Sequence, residues 1–353
     1  MKYFLIALVL LAVAVWALIR FLHRIGEPVN AAASDSYYHH ARKKIIVYSP
    51  MGNWFELGYH ESTADPATFQ VLSRDYGKDD KTVFWRGHAQ RVDYATFRID
   101  EHKIPKDDFR VYDDDHYQPE LRVIEGADPK TFRPLTLPED RYDHRWYRDD
   151  KAIYAAGKRM DVDATTFQRL NETLALDASH VYVITRNPLR LGSGSVSLSA
   201  KAANPGGPAL RLNDTYAQIG HAIAHANWIR PFSLVFFQSI DSVRVLDERN
   251  LAVNGVLISD GQIVDDFDVS SFQAVGQYHI RDRAHVYYLG SRIIEADAAT
   301  FVDLYEGYAK DSRHAYYQGR VLAGANPATF RYEGNSATAT DGTLRFREGQ
   351  LVK

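Results

Sequence analysis

The chain has 353 residues, a net charge of −3 and an aromatic bias, with 22 tyrosines and 17 phenylalanines. That length can bury a large core as one or two globular bodies, and so balanced a charge supplies no basic field for nucleic acid. Cysteine is absent, which excludes disulfides, thiolate metal sites and a cysteine nucleophile.

Tyr3 to Leu22 are apolar apart from Arg20, and Phe4 to Ile19 are 16 residues without a charge. With Tyr3, Arg20 and Phe21 extending it through the interface, this run predicts a short transmembrane helix, an anchor in residues 1–24. A cleaved signal peptide is the alternative. The run is long for one, and Trp16, Arg20, His23 and Arg24 stand where a small-residue cleavage site belongs. Residues 25–45, with Pro28, small residues and His39-His40, read as a polar linker before the folded part opens at Ile45-Ile46-Val47-Tyr48.

From there the chain is written in repeats. A closing signature, Asp or Asn, two free residues, Thr or Ser, then Phe, occurs at Asp65–Phe69, Asp93–Phe97, Asp128–Phe132, Asp163–Phe167, Asp268–Phe272, Asp297–Phe301 and Asn326–Phe330. An opening signature, Asp, three residues, then an aliphatic–aromatic pair, starts at Asp79, Asp107, Asp149, Asp177, Asp282 and Asp311, with glycine eight residues on at Gly87, Gly157, Gly290 and Gly319. Worn copies begin at Asp247 and Asp341. A recurring order of this kind is the mark of a repeat architecture.

Each residue type has a physical use. The opening aspartate starts a turn by accepting nearby backbone N–H groups. Branched and aromatic residues after it suit a strand, glycine suits a tight hairpin, and the aliphatic pair beyond is the return strand. Asp-Pro-x-Thr-Phe reads as a capped one-turn helix whose phenylalanine anchors the unit. The expected fold is mainly β, antiparallel hairpin repeats of about 28–35 residues with short helical turns. The second tyrosine of pairs such as Tyr316-Tyr317 either forms an exposed row suited to glycans or partner proteins, or packs between neighbouring repeats; stacking favours the latter.

Repeats fill 46–185 and return over 247–353, where Asp341 to Lys353 form half a unit and a cap. Between them, 186–246 reads as an insertion with glycine-rich loops and one amphipathic helix, Asp214 to Trp228. Tyr216, Ile219, Ile223 and Ala226 line one face of it, and Asp214, Gln218, His221 and His225 another. His221 and His225, four apart on a helix, are candidate metal ligands with Asp214. The zinc-protease glutamate is missing between them, and no third ligand beyond Asp214 is evident. Packed or solvated histidines are the plainer reading. Asp113-Asp114-Asp115 and Asp265-Asp266-Asp268 lack the calcium-loop pattern and read as solvated turns. No nucleophile elbow, phosphate loop or dinucleotide fingerprint is present, so no catalytic residue and no cofactor is expected.

The run from Lys310 to Leu322, with Gly324 to Phe330, resembles the DKNYY repeat family of bacterial proteins, and the likeness covers most of the chain after residue 60. It departs at Asp177, where Thr185 replaces the glycine, and over 186–246. The resemblance implies an envelope-associated repeat protein with no established activity and no catalytic residues to carry over. Positive charge after the apolar run would hold the large part in the cytoplasm, but long domains translocate largely regardless of such charges. The absent cysteines and the resemblance favour a periplasmic array anchored in the bacterial inner membrane. The expected function is a non-catalytic binding or scaffolding module whose partner is an envelope protein or a cell-wall glycan. The alternatives are a metal-dependent enzyme centred on 214–228 and a toxin-immunity protein.

Overall fold

The computed structural model describes residues 10–19, 25–50, 59–114, 118–135, 137, 146–186, 196–334 and 337–352. They form antiparallel sheets laid down one after another, four strands each in nearly every case, and within each sheet the strands pair in chain order. In the 302–321 sheet the strands are Val302–Tyr305, Tyr308–Lys310, Ala315–Tyr317 and Arg320–Val321. The first strand follows the closing phenylalanine, the second runs into the opening aspartate, the third carries the aromatic pair and the fourth ends on Val321, the first of the aliphatic pair. One sheet is in two pieces, Arg98–Ile99 with Pro105–Lys106 and Tyr112–Asp113 with Arg122–Val123, joined by a bridge between Lys106 and Val111.

The chain divides into two compact bodies, residues 1–165 with 186–197, and residues 166–185 with 198–353. Within each, the core lies between consecutive sheets. Tyr308, Ala315, Leu322 and Phe330 pack with Ala339 and Phe346 of the next sheet, and Tyr216 and Ile223 pack with Leu251, Val253 and Ile258. Central strands are covered on both faces; Leu174–Leu176 and Ala222–His225 have no exposed residue. Five motif phenylalanines, Phe69, Phe132, Phe167, Phe301 and Phe330, are buried; Phe97 and Phe272 are half-buried.

Several expectations need correction. Residues 214–228 are a hairpin and not a helix: Tyr216–Ile219 pairs with Ala222–His225 around Gly220. Strands buried on both faces carry no alternation, and the turn between them resets the count, which produced a helical spacing by accident. A Cβ on Gly220 would lie 2.3 Å from the Gly206 carbonyl oxygen. Within the segment read as an insertion, residues 209–236 continue the plan, with Ala209–Arg211, Tyr216–Ile219, Ala222–His225 and Ser233–Phe236 as one more sheet.

Residues 25–45 are not a linker. Gly26–Pro28 and Tyr37–His40 are the first strands of the first sheet, and Ser34, Ser36 and Tyr37 are buried. Its small polar residues form a turn in which the Asn30 side chain accepts from the N–H groups of Ala32 and Ala33. His40, in the segment read as a polar linker, is buried and its Nδ1 accepts from Arg42 and Lys43 N–H. The closing signatures are hydrogen-bonded turns; among the described residues only Val269–Ser271 is a 3₁₀ helix.

Residues 10–19 are helical with Leu10, Leu11 and Trp16 exposed. Among the described residues no helix is long and apolar enough to cross a membrane, and the expected 3–22 segment lies partly outside them.

Candidate functional site

The two signatures prove to be halves of one lock. At Asp311 the Oδ1 atom accepts from Arg313 and His314 N–H, both at 2.7 Å, which forms the turn. Its Oδ2 accepts from the Tyr316 hydroxyl at 2.6 Å and from the N–H of Asp297, the closing aspartate 14 residues earlier, at 2.8 Å. In return the Thr300 hydroxyl of the closing half accepts from Ser312 N–H at 3.1 Å. The carboxylate-to-backbone contact recurs at Asp79, Asp107, Asp149, Asp282 and Asp341. The tyrosine contact recurs at Asp107, Asp149 and Asp177. Burial pushes the Asp311 carboxyl up, but the tyrosine hydroxyl and three backbone N–H groups outweigh it and hold it below the usual range.

The second body varies this plan. Asn171 and Asn213 take the turn-forming place, each side-chain oxygen accepting from the residues two and three ahead. Their amide Nδ2 atoms donate to main-chain carbonyls of the next sheet: Asn171 to Asn213 and Tyr216, and Asn213 to Asp247 and Glu248. An acceptor-only carboxylate suits a place surrounded by donors; an amide suits one that must also meet carbonyls.

Two such turns frame a cavity of about 450 Å³ in the second body, whose lining includes Trp228, Asp247, Glu248, Asn250 and Tyr278. The Asn227 side chain accepts from Ile229 and Arg230 N–H and donates to Asp260 at 3.0 Å. That turn leaves Trp228 beside it 77% exposed. The Trp228 and Tyr278 rings meet edge to face at 6.3 Å. The Arg249 guanidinium lies 5.3 Å from the Tyr278 centroid and is held on both Asp260 oxygens. Asn250 is buried; its Nδ2 donates to both Asp247 oxygens at 2.9 Å, and its Oδ1 has no partner. Donation to a carboxylate fixes the amide's orientation, since the reversed amide would set oxygen against oxygen.

The residues singled out as metal ligands are not assembled. His221 sits exposed in the hairpin turn, Asp214 is exposed and paired with Arg211, and His225 is buried against Tyr216 with ring centroids 4.4 Å apart. Neither ring nitrogen of His225 has a partner. Burial pushes its imidazole down to about 4, against the pull of Asp260. Among the described residues no three of His, Asp and Glu lie close enough to hold a metal ion. In the first body His60 and His88 stack at 3.7 Å, and burial together with His60 holds His88 below its ordinary value.

Sequence reasoning missed Trp228, placing it at the end of a helix. The signal was Asn227 itself, a turn-forming residue three before Arg230, as Asn213 is three before Tyr216.

A family model described as the DKNYY family matches residues 146–349, running through the segment read as an insertion. No curated protein and no solved structure matches the chain. With more than half of its length so matched and the aspartate–tyrosine lock repeated along it, the chain belongs to the DKNYY family.

Proposed function

We propose that this chain is a non-catalytic binding or scaffolding module of the bacterial envelope, and that the cleft beside Trp228 is its contact surface. The observation that carries the reading is the exposed indole of Trp228 set against Tyr278 at the mouth of a cavity of about 450 Å³. Exposed aromatic side chains next to a pocket are a common anchor of recognition. The repeat aspartates support the non-catalytic part, because their oxygens are occupied by backbone N–H and tyrosine hydroxyl groups.

Attachment to a membrane through residues 3–22, with the array on the periplasmic side, belongs to the same proposal. The exposed apolar side chains of the 10–19 helix support it. Fractionation of cells carrying the chain with and without residues 1–24 tests attachment, and protease access in spheroplasts tests the side. For binding, wild type and Trp228→Ala are used to capture partners from solubilised membranes. Capture by wild type and its loss in the variant, with an unchanged melting curve, support the proposal; equal capture by both removes the cleft from it.

A further inference from the structure

Another cavity of the second body shares no lining residue with the Trp228 cleft. It spans about 780 Å³ beside the hairpins of successive sheets, and its lining includes Arg230, Arg292, Arg320, Tyr288, Tyr317 and Glu348. Folding gathers the three arginines from separate elements. Arg230 closes the Asn227 turn, Arg292 stands on Ser291–Ile293 opposite Tyr287, and Arg320 stands on Arg320–Val321 opposite Tyr317. Three guanidiniums and one carboxylate leave a charge of +2 (three less one) on the lining. Among the described residues no acidic side chain, Glu348 included, forms an ion pair with any of the three. Other arginines of this body are spent within the chain: Arg281 donates to the Ala298 carbonyl, Arg313 to that of Glu295, and Arg249 and Arg345 pair with Asp260 and Glu333.

A second observation is independent of that count. Arg292 and Arg320 are exposed, but Arg230 is half-buried. Water solvates an exposed guanidinium; one held partly out of water with no counter-charge costs free energy until an anion reaches it. The guanidinium fork matches carboxylate and phosphate oxygens through two parallel bonds, and charge separates these two ligands. A carboxylate would leave half of the +2 uncancelled, whereas a phosphate monoester carries about −1.5 to −2 near neutral pH and cancels it. Glu348, acceptor-only when ionised, suits a hydroxyl donor and not the phosphate. Tyr288 and Tyr317, both half-buried, give the wall apolar faces with polar tips, as a sugar or polyol requires.

We infer that this cavity is a second binding site, for a phosphate monoester carried on a hydroxylated carbon skeleton. Arg230, Arg292 and Arg320 hold the phosphate oxygens, and Glu348 accepts from a hydroxyl of the skeleton.

The test titrates glucose 6-phosphate and glycerol 3-phosphate into the purified full chain by calorimetry, with glucose, glucuronate and inorganic sulfate as controls. Expected are saturable binding of at least one ester, weakened by added salt, and no binding of glucose. Glucuronate and sulfate should bind at least about tenfold more weakly, and Arg292→Gln and Arg320→Gln should each lower ester affinity about tenfold, the loss of one charge-assisted contact. Neither exposed substitution should move the melting temperature of the free protein. Arg230→Gln should abolish binding and leave that temperature unchanged or raised, since it removes an unbalanced half-buried charge. Flotation with phosphatidylcholine vesicles containing phosphatidic acid distinguishes the source of the phosphate. Capture that exceeds capture by phosphatidylcholine alone, and that is lost in Arg292→Gln, supports a lipid-borne ester; ester binding without such capture supports a soluble one. Failure of both esters and the vesicles to bind overturns the inference. So does glucuronate binding as tightly as the esters, or an affinity that both exposed substitutions leave unchanged. Sulfate binding equal to that of the esters overturns it as well and marks the cavity as a place for an adventitious ion only.

Discussion

At Asp311 the second carboxylate oxygen faces a tyrosine hydroxyl and a backbone N–H, whereas at Asn213 the second side-chain atom faces two main-chain carbonyls. The two residues make the same turn with their first oxygen, so the difference between them is set wholly by the neighbour. Exchanging them should therefore hurt in both directions. Asp311→Asn turns an amide donor toward donors, and Asn213→Asp turns a carboxylate toward carbonyls. Each should cost about 1–3 kcal/mol, the penalty of a part-buried polar group left unmatched. Thermal unfolding of the two variants, with Asp80→Asn as a surface control, measures this. Two neutral exchanges would show that the lock is not what holds consecutive turns together.

At the scale of the element, the hairpin between the third and fourth strands decides how closely sheets approach. Gln318 and Gly319 both have positive φ, 48° and 76°, the pattern of a tight two-residue hairpin. Gly349 has a further constraint: a Cβ there would lie 2.3 Å from Cδ1 of Tyr317, whose ring packs on Tyr308 at 4.6 Å. Gly334 has a similar φ but open space around it. Gly334→Ala should thus cost only the left-handed backbone term, about 1–2 kcal/mol. Gly349→Ala should cost that and the displacement of Tyr317, and the gap between their melting temperatures measures the packing part. The same contact places the second tyrosines. Tyr288 and Tyr317 are half-buried, each against a hairpin glycine of the following sheet, and do not form a freely exposed row.

These elements were legible in the sequence where local chemistry dictates them: aspartate turns, strand-forming pairs, hairpin glycines and anchoring phenylalanines. What was not legible depended on neighbours. Tyr216, Ile219 and Ile223 mimic a helix face because both sides of their strands are covered, which a single sequence cannot reveal. The pairing of the two signatures across 14 residues was hidden because each looks complete alone. The cleft was hidden because its rings, Trp228 and Tyr278, come from segments 50 residues apart by number (278 less 228) that meet only once the sheets stack.

Across the whole molecule the response to acid should come in two stages. His225 is held at about 4 by burial, below its ordinary 6.5. A lowered histidine value means that the unfolded chain binds a proton first, so the stability tied to a neutral His225 is full above 6.5 and declines as pH falls toward 4. The lock carboxyls of Asp79, Asp107, Asp149, Asp282 and Asp311 are pushed up by burial but held lower still by their hydrogen bonds. Their contribution is present above the ordinary carboxylate value of about 3.9 and is lost as pH falls through the lowered folded values. Melting temperature against pH should show both declines, and His225→Leu should flatten the first while leaving the second. A first decline that survives the substitution would assign it to other groups.

The lock at Asp149 reaches back 21 residues to Asp128, where the one at Asp311 reaches back 14, and the bond is made at 3.0 Å all the same. By loop-closure entropy, (3/2)RT ln(21/14), that longer thread costs about 0.4 kcal/mol, less than one hydrogen bond. The clasp is thus almost indifferent to the length of chain drawn through it. Sequence can be gained or shed between the halves of a lock with little loss of stability, while a single residue added inside the Asp311–His314 turn would part both of its bonds. A lineage built this way can change its loops freely and yet keep every clasp closed.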